Sequence, residues 1–198
     1  MQRHVNASLY CQLMEYIKWR TEAIDKTVEL VRTKKHYLDN RAAAELCLLQ
    51  LRYCCELLAI GCIAIHTDVP QANRLHKMWN AEQIMKAFED MKPTFFPTGV
   101  KSIKREDGIW DQVDADGALT KAELTRMYNL FGELLHTGTF KRYKNQTEVR
   151  YDFRIITDFL AKLRNLLNDH TYPLHDNQKM IRVIMQDAVE ACARAEIH

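Results

Sequence analysis

Five stretches of the chain repeat apolar residues at three-and-four spacing, the period of an amphipathic helix. The first, about 8–35, carries Leu9, Leu13, Tyr16, Ile17, Ile24, Val28 and Val31 in that rhythm, with Lys18, Arg20, Glu22, Asp25, Lys26 and Glu29 between them. Asn6 or Ser8 is placed to cap it. The second, about 39–66, is apolar nearly all round, as the central rod of a bundle should be. Asp39 or Asn40 opens it and Asp68-Val69-Pro70 closes it. The third, about 72–90, has Leu75, Met78, Trp79, Ile84, Met85 and Phe88 on its apolar side. The fourth, about 121–136, begins with the capping box Thr120…Glu123 and buries Leu124, Met127, Phe131, Leu134 and Leu135. The fifth, about 147–167, repeats Val149, Phe153, Ile156, Leu160, Leu163 and Leu167.

Between the third and fourth helices, residues 92–119 are rich in Pro, Gly and Asp and read as a long irregular connection, with a short strand at 100–103. Past the fifth helix the pattern changes. His170 to Leu174 is extended, Asp176-Asn177 signals a turn, and Lys179 to Met185 is β-branched, which predicts a hairpin. Residues 189–197 alternate Val189, Ala191, Ala193, Ala195 and Ile197 with polar neighbours, which favours a third strand over a helix capped by Asp187. The expected fold is mainly α: a bundle of about five helices with a small antiparallel β element at the C-terminus. It is read as one domain over 1–198, with the bundle over 8–167 and a β-rich tail over 168–198.

Composition sharpens this picture. Only 6 Gly and 4 Pro argue against an all-β chain with many tight turns. A net charge of +2 gives no global field for nucleic acid. Of the 6 cysteines, four (Cys47, Cys54, Cys55, Cys62) fall on the second helix, where one rod cannot form a disulfide scaffold. They read as small buried residues of a reduced, cytoplasmic protein. The apolar run at 57–65 is shorter than the roughly 20 residues of a membrane span, and the N-terminus lacks a signal-peptide pattern. Neither zinc spacing nor a phosphate-binding glycine loop is present, so no metal or cofactor is expected. Trp19, Trp79 and Trp110 read as core or interface anchors.

Three groups of residues could carry chemistry. Residues 114–123, with Asp114, Asp116, Gly117 and Glu123, resemble a calcium loop from its third position onward, but Gln112 stands where the first carboxylate belongs. A turn followed by a well-capped helix explains the same residues. On the second helix, Arg41, Glu45, Arg52 and Glu56 share a face. The stripe either faces solvent or meets Arg126, Asn129, Glu133 and His136 of the fourth helix, in which case Arg52, Glu56 and His136 would line a polar cleft. Apart from these groups, basic clusters at Lys101, Lys104 and Arg105, and at 141–144, are candidates for RNA contact without catalysis.

The third group closes the fifth helix: Arg164, then Asn165, then His170. This order resembles the arginine–polar–histidine motif of HEPN domains, the all-α bundles of toxins, abortive-infection proteins and CRISPR-associated ribonucleases. Arg41-Ala-Ala-Ala-Glu45 on an apolar second helix, and Tyr128 with Leu134-Leu135-His136 on the fourth, are similar to further parts of that family. The resemblance covers about 8–170 and implies metal-independent RNA cleavage. His170 would act as general acid or base, Arg164 would stabilise charge on the scissile phosphate, and Asn165 would orient one of them. The expected function is a HEPN-like module that binds RNA or a partner protein and forms a homodimer. The alternative is a non-catalytic interaction or scaffold protein.

Overall fold

The computed structural model describes residues 5–35, 39–67, 69–108, 110–136, 144, 151–174, 180–185 and 194–197. Its helices are α1 (Ala7–Arg32), α2 (Asn40–Ile65), α3 (Ala81–Met91), α4 (Lys121–Leu135) and α5 (Phe153–Leu167). Asn6 caps α1 by accepting from the Leu9 amide at 3.1 Å, and Asp39 caps α2 by accepting from the Ala42 amide at 2.7 Å. The mainly α fold with a small antiparallel sheet is as the periodicity predicts.

The apolar α2 packs against α1, α3, α4 and α5. Its Cys47, Leu51, Cys54, Leu58, Ala59 and Cys62 are wholly buried. Each fully buried aliphatic side chain contributes about 1.5–3 kcal/mol of apolar transfer energy, which is why a rod this greasy takes the centre. By length and composition α2 could also cross a membrane, yet 56% of its apolar window is buried within the fold.

The third helix is shorter than its pattern predicts. Residues Pro70–Leu75 form a 3-10 turn, and α3 begins only at Ala81, where the Asn80 side chain accepts from the Gln83 amide at 3.0 Å. A local side-chain cap has overridden the helical spacing, and Trp79 is left 62% exposed in the break. The fifth helix likewise starts at Phe153, because Asp152 caps it; the earlier part of the expected span, at 147–150, lies outside the described residues.

Residues 92–119 hold the short strand read at 100–103 but are more regular than an irregular connection. They hold the hairpin β1 (Thr98–Lys104) and β2 (Trp110–Asp114), which turns through Asp107 and Gly108. Strands β3 (Asp169–Pro173), β4 (Met180–Ile184) and β5 (Arg194–Ile197) complete one antiparallel sheet in the order β2-β1-β3-β4-β5. The strand reading of the tail thus holds over Arg194–Ile197, and 186–193 lie outside the described residues. The β element is wider than a C-terminal appendage, because β1 enters through Thr98↔Thr171 and Gly99↔His170. Arg182 of β4 binds Asp169 of β3 and donates to the Ser102 hydroxyl of β1 at 3.1 Å, tying three strands together.

Candidate functional site

The three residues read as catalytic go to three different places. Arg164 reaches across to α1, where its guanidinium pairs with Asp25; the Nη1 to Oδ1 distance is 3.2 Å. Asn165 donates to the Asp116 carbonyl at 3.3 Å, on the loop after β2. His170, on β3, is wholly buried. Its Nδ1–H donates to the Leu167 carbonyl at 2.9 Å, so Nε2 accepts from the Tyr10 hydroxyl at 2.6 Å. A cleft of about 270 Å³ between α1 and α5 is lined by Asp25 and Arg164, but not by His170. General acid–base chemistry needs an imidazole within hydrogen-bond reach of substrate. Here both ring nitrogens are engaged inside the core, and the structure does not bring Arg164, Asn165 and His170 to one solvent-open space.

What surrounds His170 is a structural network. The Tyr10 hydroxyl also lies 3.0 Å from that of Tyr172, which is 4.0 Å from Cys62 Sγ. The Tyr10 and Tyr172 rings meet edge-on with centroids 5.5 Å apart. Gly61 makes room: a Cβ there would stand 2.9 Å from Tyr10 Cε2. Burial lowers the His170 pKa to about 4, so the ring is neutral near pH 7, and burial pushes both tyrosines well above their usual value. The network joins α1, α2 and β3. Nothing in the sequence marked Tyr10 and Tyr172 as hydrogen-bonding partners, because a buried tyrosine is patterned like any large apolar residue.

Of the three residues read as lining a polar cleft, the structure brings two together. Arg52 and Glu56 come together on α2, Nε to Oε1 at 3.5 Å, with side chains only 23% and 15% exposed. Their partner from α4 is Tyr128, not the residues read from sequence. Arg52 Nη2 donates to the Tyr128 hydroxyl at 2.8 Å, which donates to Glu56 Oε1 at 3.1 Å. The guanidinium carbon lies 4.1 Å from the Tyr128 ring centroid. Burial, then the Glu56 carboxylate, push the Tyr128 pKa up to about 12. Gly132 leaves room for this arrangement, since a Cβ there would run into Arg52 Nη1. His136, one turn further on, is an exposed C-terminal cap. The other pair on the stripe, Arg41 and Glu45, is similarly met by the Tyr151 hydroxyl, 2.7 Å from Glu45 Oε1. Tyrosines therefore satisfy the charges of an otherwise greasy rod.

The calcium-like loop is occupied by its own contacts. Asp116 pairs with Lys101 at 2.7 Å, and Glu123 completes the Thr120 capping box and binds Lys162. The Lys162 ammonium and the Thr120 amide hold the Glu123 carboxyl down to about 2. Among the described residues no group of three His, Cys, Asp or Glu is arranged to hold a metal. The basic cluster at Lys101 and Arg105 is likewise met by acids, Asp116 and, at 3.4 Å, Asp107. The cluster at 141–144 lies outside the described residues, apart from an exposed Lys144.

A different surface stands out. The core stripe of α1 is Tyr10, Leu13, Met14, Ile17, Thr21 and Ile24, so Tyr16, which the sequence places with the core, points outward. Tyr16 is 59% and Trp19 60% exposed, and Leu9 and Leu30 extend their side of the helix. Beside it, α2 presents Leu46 and Tyr53. Arg20 links the two helices: its guanidinium lies 4.5 Å from the Tyr53 ring centroid and 5.4 Å from that of Trp19, and it donates to Gln50 at 2.5 Å. The signal in the sequence was a second apolar line on α1, offset from the core line by roughly a third of a turn. No family model, curated protein or solved structure matches this chain.

Proposed function

We propose that this chain is a non-catalytic interaction protein that works through the outer face of the α1–α2 hairpin. One observation carries the reading: Tyr16, Trp19 and Tyr53 stand exposed around Arg20 on two adjacent helices. Trp, Tyr and Arg are the residue types that dominate binding hot spots, and a contiguous apolar face of this kind is rare on a protein that works alone. Ribonuclease chemistry lacks comparable support, because His170 is enclosed and Arg164 is committed to Asp25. The free thiols Cys47, Cys54, Cys55 and Cys62 suit a reducing compartment such as the cytoplasm.

The test places a photo-cross-linking amino acid at position 19 and, as control, at position 82 on exposed α3. Irradiation in cells should give a polypeptide adduct, to any protein including this one, at 19 and not at 82. Absence of an adduct at 19 overturns the reading. Cleavage of single-stranded RNA by the purified protein that is lost in His170→Gln would also overturn it.

A further inference from the structure

We infer that the occupant of this face is a second copy of the chain, docked hairpin on hairpin as a two-fold four-helix bundle. The inference rests on the interaction reading above and names its partner. Two features of the face favour a copy over an unrelated protein.

The first is symmetry of placement. α1 runs over Ala7–Arg32 and α2 over Asn40–Ile65, two antiparallel rods of 26 residues each. Trp19 and Arg20 straddle the middle of α1, and Tyr53 lies at the middle of α2. The exposed leucines flank this centre: Leu9 toward one end, Leu30 and Leu46 toward the other. A two-fold axis through the midpoint lays the aromatic centre on its own copy and each leucine end on the opposite end. An isologous contact requires that self-complementarity.

The second is area. The six exposed apolar side chains present on the order of 600 Å². With the half-buried Leu49, Leu57 and Ile60 between them, the face reaches about the 800 Å² per partner of a stable interface.

Sedimentation equilibrium of the full chain tests this. Wild type should sediment as two chains at micromolar concentration. Trp19→Glu with Tyr16→Glu should weaken association at least about 100-fold while circular dichroism stays unchanged, because both side chains are about three-fifths exposed in the single chain. Trp19→Cys should form an intermolecular disulfide with itself, since position 19 lies beside the axis. Leu30→Cys alone should not. A wild-type monomer at about 100 μM, or a dimer indifferent to the paired glutamates, overturns the inference. A monomer that still cross-links to another polypeptide from position 19 would do so while leaving the interaction reading standing.

Discussion

His170 shows how much a residue's meaning depends on where the chain puts it. In the sequence it completes a catalytic-looking trio. In the fold its neutral ring accepts from Tyr10 and donates to Leu167, and it holds β3 to α1. The consequence is a pH dependence of stability. The folded pKa, about 4, lies below the ordinary value of 6.5, so the unfolded chain takes up the proton first. The contribution is complete above pH 6.5 and is lost as pH falls through the window down to 4. The total is about 3 kcal/mol at the usual 1.36 kcal/mol per pKa unit. Urea midpoints measured from pH 7 to 4 should fall more steeply for wild type than for His170→Asn. Identical slopes would remove His170 from the account.

At the scale of elements, the seam between α2 and α4 depends on a tyrosine. Tyr128 bridges Arg52 and Glu56, and without it a half-buried ion pair loses a donor and an acceptor together. Tyr128→Phe is expected to cost about 1–2 kcal/mol, and Arg52→Ala a similar amount. Because the two act through the same contacts, the double variant should cost clearly less than the sum of the singles. Additivity in denaturant titrations would show that the bridge has no energetic role.

Elements also mark where the sequence was legible. The helices α1, α2 and α4 were readable to within a few residues, because their spacing and caps agree. The break before α3 was not, because Met78 and Trp79 continue a helical rhythm that the Asn80 cap overrides. Of hairpin β1–β2 only the short strand at 100–103 was legible, because residues 101–104 are exposed on a ribbon with no buried face to impose alternation on the pair. The charged stripe on α2 was half legible: i,i+4 spacing revealed Arg52 with Glu56, but nothing in one sequence says which residue of another helix will meet them.

For the whole molecule, polar groups divide into those the fold consumes and those it leaves outside. The Tyr10–His170–Tyr172 network and the Arg52–Glu56–Tyr128 seam are internal ties between elements. The α1–α2 face is apolar surface for which the described fold has no internal use. Trp19 and Trp79 offer a built-in comparison, since they are 60% and 62% exposed in the single chain. Hydroxyl-radical footprinting in intact cells, set beside dilute purified protein, reads both at once. Trp19 should be protected in cells and reactive when dilute, with Trp79 equally reactive in both; equal oxidation of the two tryptophans under both conditions would contradict the account.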